Sequence, residues 1–292
     1  PDWSEVGDDE ATLSIAPRLL REKEYLHALE ELAGDPLSLD MVRSTRCYLL
    51  ILTQRFGLRG EEATGLAQGD WVEGPGAACM VLVRTNKFRR LKTTASRRQV
   101  PLLFHLTEPE TAIIRRHHEL LIAASGVDAD RRNDALFPHL AGPENKAASK
   151  AERAAISAQL KRSTLNPRTS VHAARHSFAN MVELMLLDIN PQLLEHLFAE
   201  APTAPWIEHV RRTTLGTHTR TRRTPWALAR LMGHSHPRTA LKSYVHLLPD
   251  LACSLLEWAP DAGVQDLREK RLEQVLDLDQ AKTRSDYLLK SE

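Results

Sequence analysis

Three cysteines in 292 residues, at positions 47, 79 and 253, are too few and too scattered for a disulfide framework or a thiolate metal site. They read as reduced thiols in a cytoplasmic protein. No apolar run approaches the length of a bilayer-spanning helix, which excludes that class of membrane protein. Pro1 to Glu10 is acidic and lacks the basic-then-apolar layout of a secretory signal. It also lacks a starting Met, as an excised or processed piece would. No internal repeat or low-complexity tract occurs, so solenoids and arrays are set aside. Hydrophobic residues at 42% and charged residues at 26% describe an ordinary soluble globular chain.

Net charge is also small, at +1, but its distribution is uneven. Residues 1–40 carry 3 basic and 11 acidic side chains, a net −8, and residues 261–292 carry 6 and 8, a net −2. The remainder, 41–260, is therefore +11. Two stretches in it have no carboxylate: Gly74 to Thr107 with seven Lys or Arg, and His209 to Pro249 with eight. Concentrated positive surface suits a duplex backbone, because each neutralised phosphate releases condensed counterions. Two solvated basic loops would give the same composition.

Hydrophobic periodicity gives mainly helix with a small antiparallel sheet. Leucines at helical spacing mark Pro17 to Ala33, stopped by Gly34-Asp35-Pro36. A long helix runs from about Leu39 to Phe56 and ends at Gly57, and a shorter one covers Glu61 to Ala67. Cys79 to Arg84 and Arg98 to Leu103 read as two strands joined by a long basic hairpin. Thr107 to Ser125 is helical with a capping box to Glu110, Asn133 to Pro143 is a loop, and Ala147 to Lys161 is helical. Another helix starts near Ser170. Asp188 to Arg223, broken by Pro191, Pro202 and Pro205, is irregular, with one short amphipathic turn at Trp206 to Val210. Thr224 caps a compact helix with Pro225 in its first position and Gly233 at its end. The organisation expected is an N-terminal segment over 1–38, a main domain over 39–260 interrupted at about 188–223, and a tail over 261–292.

Metal-free phosphodiester chemistry needs fixed cations on the nonbridging oxygens, and arginine's planar fork suits them. Arg59 stands at a helix start, where the dipole favours an anion, and Glu62 on the same face can orient it. His172 and Arg175, at i and i+3, share one side of their helix, with His176 one position round. His172 and His176 also have the spacing of two zinc ligands, but Ala173 stands where a metalloprotease helix has glutamate, which disfavours a hydrolase of that kind. Of four tyrosines, only Tyr244 lies in a carboxylate-free segment. Tyr25 is in an acidic helix, Tyr48 in an apolar one, and Tyr287 in the tail. A phenol nucleophile needs its proton removed, and an alkoxide leaving group needs one supplied, for which Lys87 and Lys92 on the hairpin compete.

Gly57-Leu58-Arg59-Gly60-Glu61-Glu62, His172-Ala173-Ala174-Arg175-His176 and Leu231-Met232-Gly233-His234 followed by Tyr244 resemble, in that order, the active-site boxes of the tyrosine recombinase (phage integrase) family. Leu91 to Leu102, with Lys92 ahead of a strand ending Pro101-Leu102, resembles the family's lysine hairpin. The resemblance spans roughly Leu39 to Trp258. It implies the tyrosine recombinase catalytic-domain fold and a site-specific recombinase or integrase working without metal, cofactor or ATP. Arg59 and Arg175 would clamp the scissile phosphate, His172 would assist proton transfer, and His234 would hydrogen-bond a phosphate oxygen. Tyr244 would form a 3′-phosphotyrosyl link while Lys92 protonates the 5′-oxygen, with Glu62 and His176 in support. Lys87, Arg89, Arg90, Arg97, Arg220, Arg222 and Arg223 are the candidate DNA contacts. The partner implied is double-stranded DNA, bound by a homo-tetramer in which the tail from Asp261 docks on a neighbour. Two departures stand out. His234 lies 59 residues after Arg175, a longer interval than the family's, and residues 1–38 are too short and acidic for its preceding DNA-binding domain. A non-catalytic DNA-binding protein and a type IB topoisomerase-like enzyme are the alternatives on the same fold.

Overall fold

The computed structural model describes residues 20–74, 78–91, 93–125, 130–187, 194, 197–219 and 221–237. Its first helix is α1 (Glu22–Ala33). The central element is the next, α2 (Met41–Phe56). Asp40 starts it by accepting the Arg43 backbone N–H on Oδ1 at 2.7 Å. Gly57 ends it at φ +60°, where a Cβ would collide with the Phe178 ring, so both conformation and packing demand glycine. Every residue from Cys47 to Phe56 is buried. An amphipathic surface helix buries one stripe, so burial on all sides means neighbours on all sides. They are α1, α4 (Glu108–Ser125), α5 (Lys146–Thr164) and α6 (Val171–Leu186). Burying a Leu or Ile such as those at 49–52 contributes about 1.5–3 kcal/mol each. The helix within 1–38 is thus integral to the main core, with Tyr25, Ala28 and Leu29 buried against it.

Three antiparallel strands flank this core in the order β1 (Trp71–Glu73), β2 (Cys79–Val83), β3 (Arg98–Pro101). Val81 pairs with Trp71 on one side and Val100 on the other. Val81, Val83 and Val100 are fully buried, which fixes the register by putting alternate residues on the core face. The sequence expected two strands. The additional one, β1, is only three residues long and has no alternation to detect.

Most helices begin and end within a few residues of their expected limits. The capping box of α4 is present: Thr107 N–H donates to Glu110 Oε2 at 2.7 Å. Leu136 and Phe137 are buried in their loop, whereas Pro138 is exposed. The short helix after Arg59, α3 (Gly60–Thr64), stops three residues early. The interval expected to be irregular contains a full helix, α7 (Ala204–Leu215). Pro205 does not break it, because it occupies the first turn, where its missing N–H has no partner to lose. Trp206 of α7 packs on Phe104 and Phe198 and donates Nε1–H to Leu103 O at 2.8 Å. The last described helix, α8 (Thr224–Leu231), has Arg223 rather than Thr224 at its cap position, with the Thr224 hydroxyl donating to Thr221 O at 2.8 Å. Among the described residues no helix is long and apolar enough to cross a membrane.

Candidate active site

Glu62 organises the site. It is buried in α3, and its carboxylate first caps its own helix, Oε2 accepting the Arg59 backbone N–H at 2.8 Å. The Arg59 side chain donates to Oε1 at 2.8 Å. Arg98 of β3 reaches the same carboxylate through both ends of its fork, Nη1 to Oε1 at 3.0 Å and Nη2 to Oε2 at 2.9 Å. Arg175 of α6 brings Nη1 within 3.7 Å of Oε2. Arg89 donates Nη1–H to the Glu62 backbone carbonyl and Nη2–H to Arg84 O at 2.7 Å. Burial alone would raise the Glu62 carboxyl. The Arg98 hydrogen bonds and charge, followed by Arg175, instead pull it down to about 2, so it stays ionised.

Arg59, Glu62 and Arg89 of this cluster form one wall of an open cavity of about 280 Å³, whose lining also includes Arg90, Gly233 and His234. The end of α8 supplies the histidine. Gly233 turns the chain at φ +67°, and the next backbone N–H, that of His234, donates back to Ala229 O at 2.8 Å. Burial, then the charges of Arg175, Arg59 and Arg98, lower the His234 imidazole to about 4. It is therefore neutral at pH 7. Arg175 stands behind this wall, buried, with Nη2–H donated to Met232 O at 2.6 Å and Nη1–H to Gly57 O. It thereby ties the end of α2 to the turn that carries His234.

His172 lies one turn before Arg175 on α6 and is exposed at the surface. Its ring packs edge-on against His176 with centroids 4.4 Å apart. Partial loss of solvent around its ring, with the Arg175 and Arg59 charges, lowers His172, and burial with the His172 charge lowers His176 to about 4. Among the described residues no cluster of three or more His, Cys, Asp or Glu could hold a metal ion, so the two-histidine spacing gains no third ligand.

The sequence-predicted residues divide three ways. Arg59, Glu62, Arg175 and His234 come together, with His172 and His176 on the adjoining turn. Lys92, Tyr244 and Arg220 lie outside the described residues. Of the expected DNA contacts, Arg90, Arg97, Arg222 and Arg223 are exposed, and Lys87 is exposed beside Asp134 at 3.6 Å. Arg89 departs from that expectation. It is 7% exposed and braces the hairpin against α3 through backbone carbonyls, because the Asn86–Arg89 turn folds it inward. Arg98 was not singled out from sequence.

A helical core with a three-stranded antiparallel edge, joining an arginine after α2 to an arginine on α6 and a histidine after α8, is the tyrosine recombinase catalytic-domain fold. The XerH site-specific recombinase bound to its palindromic difH substrate, in a post-cleavage complex, superposes with a TM-score of 0.50 at 18% identity. The match covers 85% of this chain and 56% of XerH, so this chain spans just over half the length of that protein. The Tn1549 transposon integrase in complex with transposon right end DNA gives a TM-score of 0.47 at 19% identity, covering 88% of this chain and 70% of the integrase. XerA recombinase gives 0.46 at 15% identity, covering 85% and 65%. No protein-family model and no curated protein sequence matches the chain.

Proposed function

We propose that this chain carries the catalytic machinery of a site-specific DNA recombinase or integrase that breaks and rejoins strands through a 3′-phosphotyrosyl intermediate. One observation carries the reading. Arginines from two distant parts of the sequence, Arg59 and Arg175, meet on a single carboxylate beside a cavity that His234 also lines. An anionic group is what a cavity with that wall favours, and a phosphodiester is the anion that the basic segments on either side suit.

In this reading Arg59 contacts the nonbridging oxygens, and Arg175 adds its field from behind. Neutral His234 donates one N–H to a phosphate oxygen. The Tyr244 phenol oxygen attacks phosphorus, its proton passing to His172. The P–O bond to the 5′-oxygen breaks, and that oxygen takes a proton from Lys92. A 5′-hydroxyl from a second strand reverses the sequence and reseals the backbone, so neither ATP nor a metal is consumed. Double-stranded DNA is the partner, bound by a homo-tetramer.

The test is a nicked random-sequence duplex library that traps the covalent intermediate, read by denaturing electrophoresis. Wild-type protein is expected to yield an adduct that persists with chelator and is absent from Tyr244→Phe. Salt-dependent duplex binding with no adduct anywhere in the library sinks the catalytic reading and leaves a binding protein on this fold. Relaxation of supercoiled DNA without partner exchange would reassign the same chemistry to a type IB topoisomerase-like enzyme.

A further inference from the structure

Arg98 reaches into three parts of the site at once. Its side chain is 5% exposed. Two of its nitrogens hold the Glu62 carboxylate, and that carboxylate holds Arg59. Its Nε–H donates to Leu231 O at 2.8 Å, two residues before Gly233. Its Nη1 also donates to Ser96 O at 3.1 Å, tying the fork to its own hairpin. A Cβ at Gly233 would lie 2.5 Å from Arg98 Nη1, so the turn bearing His234 passes directly over the guanidinium. The glycine before His234 is thus required by Arg98 as well as by its own positive φ.

We propose that Arg98 is a positioning residue that fixes Arg59, through Glu62, in register with the His234 turn and with the hairpin ending in β3. It does not line the cavity and is assigned no contact with DNA. The inference deepens the recombinase reading and rests on it for the reaction, but its geometric part stands without DNA. A planar fork is needed, because one group must grip both oxygens of a carboxylate and a carbonyl on a different element. Lysine keeps the charge and loses that geometry.

The groups facing Glu62 are Arg59 from its own helix start, Arg98 from β3, Arg175 from α6, Arg89 from the hairpin and His234 from the turn after α8. The Arg98 hydrogen bonds and charge do most to hold the carboxyl low. In Arg98→Gln burial remains and this interaction is lost, so the carboxyl rises and the clamp fails at a higher pH.

The experiment uses the full chain as wild type, Arg98→Lys and Arg98→Gln. Without DNA, NMR titration of the Glu62 carboxyl and the His234 ring is expected to show Glu62 moving up by at least about one pH unit in Arg98→Gln. The His234 ring resonances should be displaced in both variants. On the duplex library, adduct formation should fall about 10- to 100-fold in both, with duplex affinity changed less than about threefold. The acid limb of adduct formation should shift upward in Arg98→Gln. Wild-type titrations and rates in both folded variants, whatever their melting temperatures, overturn the proposal. So does equal loss of affinity and rate. Absence of wild-type adduct sinks the recombinase reading, and the DNA-free titrations still decide the role of Arg98.

Discussion

Among the described residues, two buried ionic networks stand out by their opposite build. Under the cavity a carboxylate, Glu62, is ringed by Arg59, Arg98 and Arg175. In the core an arginine, Arg55, is ringed by carboxylates. Its Nε and Nη2 hold both oxygens of Glu110, its Nη1 holds Glu22, and it lies over the Tyr25 ring. Tyr25 donates its hydroxyl to Glu110 as well. The core network is closed: Glu110 also takes the Thr107 N–H, and Glu22 takes the Ala199 N–H at 2.8 Å. One arginine and two carboxylates, the latter satisfied further by those O–H and N–H donors, stitch α1, α2, α4 and the segment after Leu197 together. The network at the cavity has more cation than anion and opens on solvent. An excess of fixed positive charge beside an opening is unfavourable until an anion arrives, and that is the difference between a brace and a site.

The sharpest way to separate them is to remove one arginine from each. Arg55→Ala leaves two buried carboxylates unpaired and is expected to cost about 3–5 kcal/mol of stability, read by urea denaturation. The rate of adduct formation per folded molecule should be unchanged. Arg59→Ala should do the reverse. Its side chain is 37% exposed, so the stability change is expected within about 1 kcal/mol. Adduct formation should fall about 10²- to 10³-fold, or about 2.7–4 kcal/mol in the barrier. If Arg59→Ala instead costs about 3 kcal/mol or more of stability and keeps its rate per folded molecule, the comparison collapses.

Much of this contrast is legible in the sequence, and the remainder fails for identifiable reasons. The i, i+3 spacing of His172 and Arg175, the Gly233-His234 turn and Glu62 as the partner of Arg59 follow from helical geometry and capping. Arg98 hides in the pair Arg97-Arg98, where composition ranks both alike. Strand alternation carries the missing signal, since Arg98 shares the face of buried Val100 while Arg97 points to solvent. Arg89 gives no periodic signal, because a turn and not a strand directs it inward. Helix α7 is obscured by Pro202 and Pro205, which read as breakers until the first-turn position of Pro205 is known. The Arg55 network is non-local, since Glu22 and Glu110 are brought to it only by the packing of α1 and α4.

Protons probe a third kind of burial. His117 on α4 is fully buried, Nε2 bonded to Leu136 O at 2.9 Å and Nδ1 facing the Ser44 hydroxyl at 3.0 Å. Burial lowers it from 6.5 to about 4. Its folded value lies below its unfolded one, so the unfolded chain takes the proton first. Stability therefore falls as pH drops from 6.5 to about 4, by at most about 3 kcal/mol from this residue. Glu62 behaves differently. Its contribution is complete above about 4.5 and is lost only as pH falls towards 2. The window from 6.5 to 4.5 thus isolates the histidines. His117→Gln should make the slope of stability against pH there shallower by one proton, measured by denaturant titrations at stepped pH.

The smallest effect is expected where ions meet in water. Glu208 on α7 holds Arg212 at 2.8 Å and His218 at 2.8 Å, with all three side chains about half exposed or more. The geometry matches that of the buried networks, yet the solvent screens it and both partners are hydrated once released. Glu208→Gln should therefore change stability by less than about 0.5 kcal/mol and leave adduct formation unaltered. A loss of 2 kcal/mol or more would mean that distance governs these ion pairs irrespective of burial, and the division between the Arg55 brace and the Glu62 site would then have to rest on chemistry alone.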